Sequence, residues 1–249
     1  MARESAICAN STPSSKDVKP PPWIFTAYKV RPCSGWKPDL VFEIGIQWSH
    51  MYGREHMPAH SAQEKTGAFL DPRRVVKSAE FHEGMKVADF GSASGFFTHE
   101  AARLVGRHGE VWSIDPNREL LARTRSNAAM MGHTNIDFVA ADVERRRGSG
   151  LPDASMDRVI AANLLFSARN KSALVEEIWR VLKEGGRAVV TDWKSSSSGL
   201  GLEPKDTIAE EDALKLFERG GFAFVKKVPA GSHHWGFVVE KKRTGRGRT

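Results

Sequence analysis

Three carboxylates and two glycines, spread through one stretch of the chain, have the residue types of a nucleoside site. Asp89-Phe90-Gly91-Ser92-Ala93-Ser94-Gly95 sets glycines on either side of a short polar turn. Without Cβ atoms the backbone there can bend tightly and approach a ligand closely. Asp115 ends the run Val111-Trp112-Ser113-Ile114-Asp115, 24 residues beyond Gly91. A carboxylate at that point can accept from both hydroxyls of a ribose. It can equally cap the helix whose pattern begins near Arg118, and one side chain can do both. Asp142 ends Phe138-Val139-Ala140-Ala141-Asp142. Its carboxylate can accept from an adenine amino group, while Val143 offers an apolar wall and a backbone N–H. A glycine-rich turn by itself also occurs as plain structure; three such features in register at strand ends point to a ligand.

The elements that must position these residues alternate regularly. Apolar strand patterns run over 86–90, 110–115, 136–142, 157–162, 187–193, 223–228 and 235–240. Helical patterns cover 96–105, 118–131 and 171–182, and Asp71-Pro72 gives a further helix start, a cap followed by proline at the first position. Thr207 and Glu210 have the spacing of a capping box that opens a helix reaching Arg219. Residues 195–199 read as a flexible loop. Strands alternating with crossover helices imply an α/β fold: a doubly wound, Rossmann-like, seven-stranded and mostly parallel sheet covered on both faces. Only a few residues around Pro229-Ala230-Gly231 join the last two strands, so they form an antiparallel C-terminal hairpin.

Composition narrows the rest. The 249 residues are 40% hydrophobic and 27% charged, enough for a sizeable core. No apolar run approaches the roughly 18–20 residues that a membrane helix needs. The only cysteines, Cys8 and Cys33, precede the patterned region, which disfavours a disulfide framework or a thiolate metal site. No metal ligand set is expected, and the expected location is cytoplasmic. Residues 1–22, rich in Ser, Pro and Lys, read as disordered. Residues 23–70 hold aromatics and histidines without a period, as a lid or extension would; 71–241 form the patterned domain and 242–249 a basic tail. Of the net charge of +7, five charges sit on Lys241, Lys242, Arg243, Arg246 and Arg248. Such an end is either a solvated tail or a contact for RNA.

A dinucleotide fingerprint would want glycines where this chain has Gly91, Ala93 and Phe96, and Phe96 is too large for the third. The run from Val87 through Asp89-Phe90-Gly91-Ser92-Ala93-Ser94-Gly95 to Thr98 instead resembles the first motif of class I S-adenosylmethionine-dependent methyltransferases. Leu151-Pro152-Asp153-Ala154-Ser155-Met156-Asp157 and Val181-Leu182-Lys183-Glu184-Gly185-Gly186-Arg187 resemble their later landmarks. The likeness covers about residues 71–241 and is nearest the small-molecule branch with the ubiquinone and menaquinone methyltransferases and other type 11 enzymes. It implies S-adenosyl-L-methionine as cofactor. Asp89 and the turn of Gly91, Ser92 and Gly95 would surround its methionine moiety. Asp115 would hold the ribose, Asp142 with Val143 the adenine, and Asn163 would lie under the methionine end. The chain departs from the motif at Ala93, where a glycine is often found; that is expected to alter the backbone approach but not to abolish binding.

Several acceptor chemistries are disfavoured. The patterned domain has no cysteine for an adduct with a pyrimidine or for arsenic. Ala161-Ala162-Asn163-Leu164-Leu165 lacks the Pro-Pro-aromatic run of amino-group methylases. Direct transfer to an O, N, S, Se or activated carbon nucleophile remains, with positioning as the main source of acceleration and a general base optional; no catalytic residue is assigned. Candidates to face the acceptor are His60 and His56 from the extension, Phe166 after the fourth strand, Asp192 and Trp193 after the fifth, and His234 and Trp235 at the hairpin. Each could instead be surface or packing. The aromatic extension favours a small-molecule substrate. RNA or protein methylation, or a non-catalytic cofactor-binding module, are the alternatives, and oligomeric state is not legible.

Overall fold

The computed structural model describes residues 70–195 and 207–242. The expected disordered start, the extension with His56 and His60, the loop from Ser196 and the tail from Arg243 lie outside the described residues.

Helix α1 (Pro72–Ser78) starts where the Asp71-Pro72 pair places it, with the Asp71 carboxylate accepting from Arg73 N at 3.0 Å. The chain then runs β1 (Lys86–Phe90), α2 (Phe96–Val105), β2 (Glu110–Asp115), α3 (Arg118–Met130), β3 (Ile136–Ala140) and β4 (Met156–Ala162). It continues through α4 (Lys171–Val181), β5 (Leu182–Trp193), α5 (Glu210–Arg219), β6 (Phe222–Lys227) and β7 (His234–Lys241). The seven strands form one sheet in the order β3-β2-β1-β4-β5-β7-β6. Only the two pairings made by β7 are antiparallel. The expected doubly wound architecture is what the chain adopts.

The central strands are buried on both faces, which is why their sequences are nearly continuous apolar runs. One face packs Ala88, Phe90, Val159, Ala161, Val190 and Phe237 against α4 and α5 through Leu174, Ile178 and Phe217. The other packs Val87, Ile160, Val189 and Val238 against α1 and α2 through Val75, Ala102 and Val105. The direction of winding reverses between β1 and β4, neighbours in the sheet although two strands separate them in the chain. Outside the carboxyl ends of strands at such a reversal a crevice forms, and ligands bind there.

Three local expectations are corrected. Strand β3 ends at Ala140 rather than Asp142, and β5 begins at Leu182, because Leu182 pairs with Met156 ahead of an irregularity between Met156 and Arg158. Thr207 and Glu210 do not form a capping box: α5 starts at Glu210 with Ala209 as its uncapped flank. Tertiary partners take over there, since Glu210 pairs with Lys227 at 3.1 Å and Trp235 Nε1 donates to Ile208 O at 3.0 Å. The expected antiparallel hairpin closes that end of the sheet, with β7 inserted between β5 and the outermost β6. Lys241, one of the five basic charges at that end of the chain and the last residue of the expected domain, closes β7. Its ammonium donates to Trp179 O and Leu182 O, both at 2.7 Å, and lies over the Trp179 ring.

Candidate functional site

The turn between β1 and α2 is fixed from three elements. Asp115, at the end of β2, accepts from Ala93 N through Oδ2 at 2.9 Å and from Asn117 N through Oδ1 at 2.8 Å. Asn117, not Asp115, caps α3, its Oδ1 accepting from Glu119 N and Leu120 N. Asp115 therefore ties the glycine-rich turn to the start of the next helix and still has lone pairs on both oxygens. From α3, Thr124 Oγ1 donates to Ala93 O at 3.1 Å. Ser113 Oγ donates to Ser92 Oγ at 2.8 Å, and Thr98 Oγ1 donates to Asp89 Oδ2 at 2.6 Å.

Steric demands at this turn are sharp. Gly91 and Gly95 have φ of +69° and +79°. A Cβ on Gly95 would overlap Thr124 Cγ2, and one on Gly91 would stand 2.8 Å from Leu164 Cδ1. Ala93, the residue that departs from the family pattern, is held at φ +44°. An alanine there costs about 1–2 kcal/mol relative to a right-handed conformation, and the bonds on its N–H and C=O hold it in place.

Burial and its partners set the charge state of Asp89. Removal from water pushes its carboxyl up to about 7; the Thr98 bond opposes that, and the nearby Asp115 charge adds to it. Asp142 differs in kind. Its Oδ1 accepts from Glu144 N and its Oδ2 meets Arg145 Nε at 3.1 Å, with 44% of the side chain exposed. A surface ion pair of this sort holds little energy, so the carboxylate is available to a ligand. Val143 beside it is buried.

Asn163 follows β4 with φ +51° and donates its N–H to Thr191 O at 2.8 Å. Its side-chain Oδ1 is buried without a partner. Phe166 is half-buried, and its N–H is bound at 3.1 Å by Asp192 Oδ2. Asp192 is wholly buried and also accepts from Trp193 N. Burial raises its carboxyl to about 6. The structure thus places Asp192 as the support of the β4–α4 loop. His234 is buried, packs on Trp193 with ring centroids 3.9 Å apart, and has no partner for either ring nitrogen. Burial lowers it to about 4, with His233 and Lys194 adding to the effect, so the ring is neutral at physiological pH. His60 lies outside the described residues.

Asp89, Gly91, Ser92, Gly95, Asp115 and Asn163 are therefore gathered at the carboxyl ends of β1, β2 and β4, with Asp142 and Val143 beyond β3. His234 stands three strands from β1. Among the described residues, no group of three or more His, Cys, Asp or Glu is placed to hold a metal ion, and no helix is long and apolar enough to cross a membrane. Sequence reading missed Thr98, Ser113 and Thr124. Thr98, one turn into the helix after the glycines, carried a usable signal. Ser113 and Thr124 carried none, because their partners lie 21 and 31 residues away.

Residues 81–222 match a family of methyltransferase domains. Over 129 residues the chain is 33% identical to the ubiquinone/menaquinone biosynthesis C-methyltransferase of Pseudomonas paraeruginosa, covering 51% of this chain and 49% of that one. It is 32% identical over 111 residues to an arsenite methyltransferase of Halobacterium salinarum, covering 44% and 27% respectively. The chain thus spans about half the length, or less, of the curated relatives it matches. Among solved structures, a SAM-dependent methyltransferase from Aquifex aeolicus superposes with a TM-score of 0.64 at 24% identity, covering 70% of this chain and 90% of that one; at that identity the likeness speaks for the fold.

Proposed function

The chain belongs to the methyltransferase-domain family, and from that premise we propose that it is an S-adenosylmethionine-dependent methyltransferase acting on a small-molecule acceptor. The observation that carries this reading is the turn from Gly91 to Gly95, buttressed by Asp115 and Thr124 at the carboxyl ends of β1 and β2. The residues suit such a cofactor. The lone pairs left on Asp115 match a ribose diol, and the half-exposed Asp142 with the apolar Val143 beside it matches an adenine rim. Asp89, Gly91, Ser92, Gly95 and the unpartnered Asn163 oxygen would surround the methionine end.

When bound, the cofactor supplies a sulfonium-activated methyl group, whose carbon passes to an acceptor lone pair while the bonding pair stays on sulfur. The chain's own residues bind and orient. Asp89 and Asn163 present acceptor oxygens to a cationic methionine end, and the fixed turn holds the donor without reorganisation at the moment of transfer. The acceptor's proton leaves with no base assigned. A small acceptor is supported by the relatives' printed activities. The RNA reading rested on the basic end, and Lys241, one of its five cations, is engaged within the sheet.

Calorimetry tests the proposal. S-adenosylmethionine and S-adenosylhomocysteine should bind and NAD should not. Asp115→Ala should weaken S-adenosylhomocysteine by about 1–3 kcal/mol, the size of a lost charge-assisted bond set. Binding of NAD alone, or an Asp115→Ala protein that binds as tightly as the parent, would refute the site assignment.

A further inference from the structure

Six buried side-chain atoms among the described residues lack a hydrogen-bond partner, and four of them fall in one row. Asn163 Oδ1 stands past β4, Thr191 Oγ1 near the end of β5, and both His234 nitrogens at the start of β7. The three strand ends that carry them are neighbours in the sheet. Asn163 N donates to Thr191 O, Thr191 faces Gly236 across the β5–β7 pairing, and Trp193 faces His234. Thr191 and Trp193 are two residues apart on β5, so they share a sheet face. An unsatisfied buried polar atom costs about 1–3 kcal/mol, and in a native protein each such atom calls for an explanation. Here they run sideways from the proposed methionine end.

The row ends at a cleft of about 350 Å³. His234 lines it together with Lys194, Lys227, Glu210, Trp235 and the hairpin segment around Gly231. Lys227 is paired with Glu210. Among the described residues Lys194 has no carboxylate partner: one donor goes to Ser232 O at 3.2 Å, and an ammonium has three. The positive charge of Lys194 reaches His234, where it disfavours a second proton. A neutral imidazole with one N–H donor beside a lysine ammonium, in a cleft where the other charges among the described residues, Lys227 and Glu210, cancel, is the donor set for one carboxylate. Three strand spacings of about 4.8 Å separate β7 from β1, about 14 Å in all, a distance that the methionine end of a donor and a ring-sized acceptor together can bridge.

We infer that this cleft is the distal acceptor subsite, and that the methyl acceptor is a small molecule bearing a carboxylate which Lys194 and His234 receive. The inference rests on the methyltransferase reading, so cofactor binding is measured separately on every protein used.

Benzoate and its neutral counterpart benzamide serve as probes by calorimetry on the full chain saturated with S-adenosylhomocysteine. Benzoate should bind at least about tenfold more tightly than benzamide, and Lys194→Gln and His234→Gln should each reduce that preference about tenfold, a change of about 1.4 kcal/mol. Both variants should bind S-adenosylhomocysteine like the parent. Lys194 is half-buried at the end of its strand, so Lys194→Gln keeps the test sound should His234→Gln fail to fold. A turnover arm offers labelled S-adenosylmethionine with phenols and anilines in matched pairs, one bearing a ring carboxylate and the other its amide. Label should enter the carboxylate member of at least one pair, with Lys194→Gln raising its KM about tenfold and changing kcat less. No benzoate binding, equal binding of benzamide, or indifference to Lys194→Gln would overturn the subsite. Label entering neither member, or amides alone, while benzoate and S-adenosylhomocysteine both bind, would overturn the acceptor assignment. Loss of S-adenosylhomocysteine binding by the parent would instead fall on the methyltransferase reading.

Discussion

The two ends of the crevice are built on opposite terms. At the β1–β2 end, Asp89, Ser92, Ser113, Asp115 and Thr124 each have a partner within the chain, and the turn they hold contains an alanine in left-handed conformation. At the β4–β7 end, Asn163, Thr191 and His234 are buried with polar atoms unanswered. Rigidity at one end suits a ligand whose shape never varies. Unanswered polar atoms at the other end weaken the free protein and are repaid only when a matching ligand arrives. At the β1–β2 end a satisfied network cannot change one member without stranding the rest.

The sharpest way to break the rigid end is Gly95→Ala. The new Cβ overlaps Thr124 and requires an alanine at φ +79°. Overpacking and left-handed strain together should cost about 2–4 kcal/mol of stability, read by denaturant titration. Cofactor affinity should fall with it, since Thr124 also holds Ala93 O. A variant as stable as the parent would show that the turn is looser than the contacts at Thr124 imply.

Next in size is the pH response of Asp89. An ordinary aspartate gives up its proton near 3.8, and this one near 7. The folded chain therefore holds the proton more tightly than the unfolded chain, and Asp89's contribution to stability declines as pH rises from about 4 to 7. A cationic ligand prefers the ionised form, so S-adenosylmethionine affinity should climb up to tenfold per pH unit below about 7 and level off above it. Asp89→Asn should flatten the curve. A parent whose affinity is already flat between pH 5 and 7 would remove Asp89 from the methionine end.

The smallest effect sharpens rather than breaks the contrast. Ala93→Gly removes the left-handed penalty at φ +44°, but it also frees the unfolded chain, a loss of about 0.4–1 kcal/mol. The net should lie between about zero and a gain of about 1.6 kcal/mol, visible as at most a slight rise in Tm. The same change in β4–β7 has no counterpart, because Asn163, also left-handed at φ +51°, uses its side chain. Marked destabilisation by Ala93→Gly would mean that the alanine methyl packs rather than strains.

The sequence by itself determined the donor half. Asp89, Gly91, Gly95, Asp115 and Asp142 fall at strand ends because strands and helices alternate at short range, and each landmark is a local pattern of a few residues. It also determined that the sheet is doubly wound, since parallel strands buried on both faces leave continuous apolar runs such as those of β1 and β4. Tertiary structure alone decided which carboxylates are free to meet a ligand. Asp192 and Asp142 look alike in the sequence, each at the end of a strand, yet one is buried beneath Phe166 N–H and the other stands half exposed at the rim. It alone decided that Asn117 caps α3, that Ala209 leads α5 despite the nearby Thr207 and Glu210 pair, and that β7 slips between β5 and β6. That insertion brings His234 beside Trp193 and Lys194, residues about forty positions away in the chain. Neither hydrophobic period nor turn chemistry reports on such pairings, because both act over a few residues, whereas burial and strand order are settled by which distant surfaces remove the most apolar area from water.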